Sequence, residues 1–81
     1  MTVKPFDHPV RFMANARLVW RVTNTDEALH FLEWKWPHDE GRAHQMAVHV
    51  CKEVLGGACG AEKAREAFLR ALNEGEFDLA D

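Results

Sequence analysis

The sequence predicts an α+β fold in which an N-terminal antiparallel β-hairpin packs against three α-helices. Apolar residues alternate with polar ones over residues 9–22 and recur at helical spacing in three later segments. Glycine or proline separates these three segments from one another. The chain has 81 residues, 47% of them hydrophobic, which is typical of one small globular domain. We therefore expect a single domain over residues 1–81, of which residues 1–8 form a flexible N-terminal segment.

The hairpin is predicted from two runs with the period of two that is typical of half-buried strands. Its register follows from keeping apolar residues opposite one another. A three-residue loop over residues 14–16 pairs Phe12 with Leu18 and Val10 with Trp20 on the inner face. We favour this loop over a two-residue turn, because the shorter turn would mix the two faces of the hairpin.

The first helix is predicted over residues 25–36. Asn24 is a candidate N-cap, and Glu27, three residues later, completes the pattern of a capping box. Apolar residues then recur on one side of the helix. Pro37 ends it, because the residue before a proline is pushed out of helical geometry.

Two further helices are predicted over residues 41–56 and 61–74, each ended by glycine. Small alanines on the inner side of the last helix favour close approach, so we expect these two helices to pack as an antiparallel pair. Apolar and polar residues alternate again over residues 76–80. This segment can form a short third strand at the edge of the hairpin.

A histidine interrupts the apolar arc of the second helix. His44 lies there between the directions of Cys51 and Leu55, and a buried imidazole needs hydrogen-bond partners. Arg65, near the apolar arc of the third helix, joins His44 and Cys51 as a candidate for a buried polar site. The favoured interpretations are a hydrogen-bonded core histidine and an arginine stem that lies along the core edge with its charged head in water.

The sequence predicts no catalytic residue, no metal ligand and no cofactor. The seven-residue separation of His44 and Cys51 places them about 10 Å apart along the helix axis, too far for one ion. Cys59 precedes the third helix, whose positive end favours a thiolate. Catalysis would also need a base and an orienting group, and no such trio is visible, so we interpret Cys59 as a loop residue that fills space.

The net charge of −3 is divided unevenly. Residues 1–25 carry four Lys or Arg and one Asp, a net +3, whereas residues 26–81 carry six Lys or Arg and 12 Asp or Glu, a net −6. The cations on the predicted outer face of the hairpin are Arg11, Arg17 and Arg21. Such a face can attract an acidic partner or the acidic part of a second copy. Three cations on an acidic body are few for nucleic-acid binding, which is the weaker alternative.

Two tryptophans complete the candidate partner surface. Trp34 points away from the apolar arc of the first helix, and Trp36 follows Trp34 two residues later in the chain. Aromatic residues dominate interface hot spots, so both are candidate anchors for a partner. An equally favoured alternative is that the tryptophans cover the open side of a thin sheet.

The sequence predicts a cytoplasmic protein without membrane association. No apolar run approaches the roughly 18 residues needed to span a bilayer. The first seven residues have one cation and no apolar stretch, unlike a signal peptide. Reduced cysteines are the expectation in that compartment.

Short motifs follow one another in a set order along the chain. They are Trp36-Pro37, Gly41-x-x-His44-x-x-Ala47-x-x-x-Cys51, the Gly56-Gly57 break and Ala64-Arg65-x-x-Phe68-x-x-Ala71. In this order and spacing, together with the hairpin, they resemble the small bacterial family named domain of unknown function 982, over roughly residues 8–79. The resemblance implies an α+β fold with a small antiparallel sheet against helices. It implies no activity, cofactor or site residue.

Two classes of function follow from these observations. The preferred hypothesis is a non-enzymatic protein-interaction or regulatory module, with a homodimer or an unknown protein as partner. The alternative is a small ligand-binding protein or enzyme with a pocket near His44, Cys51 or Cys59. Nucleic-acid binding through the arginine face of the hairpin is the weaker third hypothesis.

Overall fold

The computed structural model describes residues 5–15, 18–37 and 40–79. Its elements are β1 (Pro5–Asn15), β2 (Leu18–Asn24), α1 (Thr25–His30), a π-helical segment (Phe31–Lys35), α2 (Arg42–Leu55), α3 (Ala61–Glu74) and β3 (Asp78–Leu79). The strands form one antiparallel sheet in the order β2-β1-β3, and helices pack against it. The predicted α+β fold is confirmed, including the third strand at the edge of the hairpin.

The N-terminal end of β1 is longer than the sequence predicts. The strand begins at Pro5, so the flexible segment predicted over residues 1–8 is wrong for residues 5–8; residues 1–4 lie outside the described residues. Phe6 is only 8% exposed and joins the hydrophobic core, and burial of this ring holds the segment on the sheet. The pairing with β2 shifts between Pro5 and Val10, so an irregularity separates this end from the regular ladder.

The register of the hairpin differs from the predicted one by two residues. The structure pairs Val10 with Val22 and Phe12 with Trp20, so the predicted pairs Phe12–Leu18 and Val10–Trp20 are wrong. A shift of two residues keeps every side chain on its face, and the apolar pattern therefore cannot distinguish the two registers. The observed register places two aromatic rings opposite each other and leaves Leu18 45% exposed.

The connection between the strands also differs from the prediction. β1 runs to Asn15 and β2 starts at Leu18, so the three-residue loop predicted over residues 14–16 is wrong. The pairing register shifts between Met13 and Asn15, and β1 continues past this irregularity until Asn15 pairs with Leu18. Residues 16 and 17 lie outside the described residues.

The start of α1 has the predicted capping pattern with one change of partner. The Asn24 side chain accepts a hydrogen bond from the Glu27 backbone N–H at 2.8 Å. The Glu27 carboxylate reaches back and accepts from the backbone N–H and the hydroxyl of Thr23, at 2.7 and 2.8 Å. The reciprocal bond of the capping box thus goes to the residue before the cap.

The helix predicted over residues 25–36 changes its winding halfway. It is α-helical to His30 and π-helical to Lys35. Trp36 then has extended backbone angles (φ −67°, ψ 119°), as expected for a residue that precedes Pro37. The helix ends where the proline predicts, but its second half has a different hydrogen-bond spacing.

The second and third helices match their predicted positions to within one residue at each end. Buried alanines lie on both, among them Ala47 and Ala64. Glu74, in the last turn of α3, contacts the first turn of α2, as in the predicted antiparallel pair. Both helices have 14 residues, and no helix in the described part of the chain is long and apolar enough to cross a membrane.

An aromatic cluster occupies the space between the sheet and the helices. Phe31 is its centre, with ring centroids at 4.9–6.2 Å from those of Phe12, Trp20, Trp36, Phe68 and Phe77. Most of these pairs meet edge to face, the geometry that aromatic quadrupoles favour. Because Phe31 lies in the π-helical segment, the cluster ties that segment to the rest of the core.

Candidate functional site

The buried histidine of α2 finds its polar partner on the main chain. His44 is 2% exposed, and its Nε2 lies 2.7 Å from the backbone oxygen of Leu32. Because a carbonyl oxygen can only accept, Nε2 carries the proton and donates it. This hydrogen bond joins α2 to the π-helical segment and satisfies one of the two ring nitrogens.

The Leu32 carbonyl is available because of the π-helical winding and the proline that follows. A π-helix pairs each carbonyl with the N–H five residues later. For Leu32 that residue is Pro37, which has no N–H. The ring of His44 therefore supplies the donor that the backbone lacks at this position.

The other ring nitrogen of His44 has a different environment. Nδ1 is buried and has no hydrogen-bond partner among the described residues. The ring packs against Trp36, with centroids 4.7 Å apart and an interplanar angle of 52°. One nitrogen of this buried imidazole is therefore left without a polar partner in the described part of the chain.

The two cysteines differ in how deeply they are buried. Cys51 is fully buried in the core, and desolvation, with the negative charge of Glu33 as a smaller cause, raises the pKa of its thiol from 9.0 to about 12. Cys59 is a half-buried free thiol between α2 and α3. No group of three or more His, Cys, Asp or Glu among residues 5–15, 18–37 and 40–79 could hold a metal ion.

Arg65 joins a different group from the one that the sequence predicts. Its Nε donates to the backbone oxygen of His8 at 3.0 Å, which fixes the guanidinium beside β1 rather than beside His44 or Cys51. There it lines a depression of about 540 Å³, which we call the arginine surface. The residues of this surface are His8, Pro9, Arg11, Arg21 and Arg65.

The arginine surface is built on a cross-strand pair of like charges. Arg11 of β1 lies directly opposite Arg21 of β2, and both side chains are exposed. Arg17, the third cation predicted for this face, lies outside the described residues. The structure thus brings together two of the three predicted arginines and adds Arg65 from α3.

Glu74 is a polar residue with a structural role that the sequence analysis missed. Its carboxylate accepts from the backbone N–H of Ala43, at 3.1 Å to either oxygen, and from that of His44 at 3.3 Å. The N-cap of α2 is Gly41, which has no side chain to cap the helix. The signal in the sequence is that α2 has no Ser, Thr, Asp or Asn at its N-cap and no acidic residue in its first turn. The free N–H groups of that turn therefore need an acceptor from elsewhere in the chain.

The two candidate tryptophans have opposite surroundings. Trp34 is 76% exposed on the π-helical segment, whereas Trp36 is half-buried and packs against Phe31 and Phe77. So large an apolar side chain is seldom exposed to solvent to this extent. Trp34 is therefore a surface feature, and Trp36 belongs to the aromatic cluster.

Comparison with known proteins identifies a family. A family model described as a protein of unknown function (DUF982) matches residues 8–79, nearly the whole chain. No curated protein and no solved structure matches the chain.

Proposed function

The chain belongs to the family of proteins of unknown function DUF982, and we propose that it is a non-catalytic interaction module that binds an acidic segment of a partner protein. The observation that carries this proposal is the arginine surface. Arg11, Arg21 and Arg65 come from three different elements and line one depression, although the chain as a whole has a net charge of −3.

The arrangement of the guanidinium groups supports a binding role. Arg11 and Arg21 lie directly opposite each other on neighbouring strands, so one carboxylate of a ligand could accept hydrogen bonds from both. Arg65 is held in place by its bond to the His8 carbonyl, so its guanidinium is oriented before an anion arrives.

The neighbours of the arginines favour a peptide over a nucleic acid. Met13 and Val19 form the next cross-strand pair along the outer face in the described part of β1 and β2, and Val19 is 51% exposed. A surface that mixes guanidinium groups with apolar side chains suits a segment in which acidic and apolar residues alternate.

The free edge of β2 offers main-chain hydrogen bonds to the same segment. Among the strands of the described ranges β2 is at the edge of the sheet, and a peptide can add to such an edge as a further strand. At its C-terminal end the edge is closed, because the Thr23 N–H is bonded to the Glu27 carboxylate. The accessible edge is therefore the part of β2 that carries Val19 and Arg21.

Calorimetric titration tests the proposal. The probes are an acidic peptide of alternating Glu and Val and the same peptide with Gln in place of Glu. We expect the acidic peptide to bind and its affinity to fall as salt is added. Arg21→Gln and Arg65→Gln should each weaken it about tenfold, the loss of one charge-assisted hydrogen bond. Arg70→Gln, which removes an exposed arginine of α3 outside this surface, is the matched control and should leave binding unchanged.

Any one of four results would contradict the proposal. The Gln peptide could bind as well as the Glu peptide, or the Arg21→Gln and Arg65→Gln variants could bind like the control. A DNA duplex of matched charge could bind more tightly and depend on the same arginines, which would assign the surface to nucleic acid. Sedimentation showing that the arginines serve only to join copies of this chain would replace the partner protein by a homodimer.

A further inference from the structure

A groove of about 540 Å³ runs between α2 and α3, and we call it the α2–α3 groove. Four of the residues that line it are apolar, namely Ala43, Met46, Val50 and Ala67. Met46 is 55% exposed, and the other three are half-buried. An exposed apolar strip between two helices is a surface that a partner can bury. The groove shares no residue with the arginine surface, so its role does not depend on the function proposed there.

Charged residues line the same groove. Arg42 belongs to α2, and Lys63, Glu66, Arg70 and Glu74 belong to α3. The Glu74 carboxylate bonds to the first turn of α2. The side chains of the other four form no ion pair or hydrogen bond within residues 5–15, 18–37 and 40–79. Even Glu66 and Arg70, one helical turn apart, do not pair with each other, so both remain available to a partner.

The order of the charges along α3 is complementary to its own reverse. Lys63, Glu66, Arg70 and Glu74 alternate in sign, and their spacing places them with Ala67 on one side of the helix. When such a helix meets an antiparallel copy of itself, every cation faces an anion. A parallel copy would place each residue opposite its own counterpart and bring like charges together.

The spacing also agrees with a single antiparallel register. The position midway between Glu66 and Arg70 is 68, and the position midway between Lys63 and Glu74 is 68.5. The two midpoints differ by about 0.8 Å along the helix axis, so one crossing point serves both pairs. Two-fold symmetry then forms each pair twice, as in an isologous interface.

We propose that the α2–α3 groove binds the same groove of a second copy of this chain. In this dimer α3 runs antiparallel to the α3 of the partner subunit. Glu66 of each copy faces Arg70 of the other, and Lys63 faces Glu74. Met46 and Ala67 are covered between the two helix pairs. The arginine surfaces stay open, so a dimer presents two of them.

The size of the interface sets its strength. Each helix has 14 residues, which is about 21 Å, and two helices side by side are about 20 Å wide. The face is therefore about 400 Å² per copy, or about 800 Å² in total, less than the roughly 1,200 Å² at which stable interfaces begin. We expect a dissociation constant on the order of 100 µM, so dilute samples contain monomers.

Sedimentation equilibrium between about 10 µM and 1 mM protein tests the proposal, because this range brackets the expected dissociation constant. The average mass should rise towards that of a dimer, and added salt should weaken the association. Glu66→Arg and Arg70→Glu should each weaken it at least about tenfold, because each variant replaces two attractive pairs with two repulsive ones.

A mixture of the two variants is the sharpest measurement. Glu66→Arg and Arg70→Glu are monomeric alone, but in an equimolar mixture each arginine of one faces a glutamate of the other. The mixture should therefore associate like the wild-type protein, as should the double variant that carries both changes. Recovery in the mixture also establishes that both variants are folded.

Two control variants should associate like the wild-type protein. Glu62→Arg reverses an exposed charge of α3 that does not line the groove. Arg21→Gln alters the arginine surface. The proposal is overturned if the wild-type protein is monomeric at about 1 mM, which would leave the groove to a different partner. It is equally overturned if Glu66→Arg and Arg70→Glu associate as well as Glu62→Arg does, if their mixture stays monomeric, or if Arg21→Gln dissociates the dimer.

Discussion

At the residue scale, the two cysteine side chains differ in how far the fold buries them. Cys51 is enclosed by the core, and burial keeps its thiol protonated, with a pKa of about 12. Cys59 is half-buried at the connection between α2 and α3. Because the thiolate is the reactive form, Cys51 is closed to attack near neutral pH, and the two cysteines also differ in accessibility.

Thiol labelling checks this difference. At about pH 8 we expect Ellman's reagent to modify Cys59 in the native protein and Cys51 only after denaturation. The rate at Cys51 in the folded state should rise only as the pH approaches 12. Cys59→Ser should abolish the native reaction. Equal native rates at the two thiols would show that Cys51 is not enclosed as described.

The polar residues of the candidate site differ in how far the sequence can predict them. The burial of His44 and its need for a polar partner follow from helical periodicity. The identity of that partner does not, because it depends on the point at which the first helix changes to π-helical spacing. Arg65 is a similar case, since its position beside His8 depends on an unpredicted extension of β1.

At the element scale, α2 begins on a carboxylate that another helix supplies. Glu74→Ala removes the acceptor for two N–H groups at the positive end of α2, and we expect the free energy of unfolding to fall by about 1 kcal/mol. Gly41→Ala should have a similar effect, because a Cβ there would overlap the Glu74 carboxylate. Urea denaturation measures both. Glu66→Ala, an exposed carboxylate of the same helix, should change stability by less than about 0.5 kcal/mol, and an equal loss there would contradict the capping role.

The junction between the π-helical segment and α2 depends on one side chain. His44→Leu fills the space but leaves the Leu32 carbonyl buried without a donor, which should lower the free energy of unfolding by about 1–3 kcal/mol. His49→Leu on the exposed side of α2 is the control and should change it by less than about 0.5 kcal/mol. The comparison is made by thermal or urea unfolding. Similar values for the two variants would mean that the hydrogen bond to Leu32 contributes nothing.

The strands show which information an apolar pattern lacks. Alternation assigns Phe12 and Trp20 to the inner face, and the structure places them there. It cannot choose between pairing Phe12 with Leu18 or with Trp20, because both choices keep the faces unmixed. That choice depends on aromatic packing around Phe31, a contact between distant parts of the chain.

At the scale of the whole molecule, charge is separated between two surfaces. Arginines line a depression on the hairpin side, and carboxylates with Trp34 line another beside α2. The uneven charge of the two parts of the sequence predicts a basic hairpin. It does not predict that Arg65 of α3 lies beside this hairpin, because that contact depends on the fold.

The like-charge pair on the hairpin gives a prediction about stability. Arg21→Gln removes an exposed guanidinium of the arginine surface, so the free energy of unfolding should change by less than about 0.5 kcal/mol while binding of the acidic peptide weakens. Chemical denaturation at low salt measures the first effect, and Arg70→Gln again serves as the control. A loss of stability in Arg21→Gln would show that this arginine supports the fold rather than a partner.

The most direct measurement of the central claim is an NMR map of the acidic peptide on the labelled protein. The account predicts that the side-chain Nε–H signals of Arg11, Arg21 and Arg65 and the backbone amides of β2 shift together, at one dissociation constant that weakens with salt. Signals of α2 should stay in place. Shifts confined to α2 and α3, or none at the three arginines at saturating peptide, would contradict the assignment of this surface to an acidic protein partner.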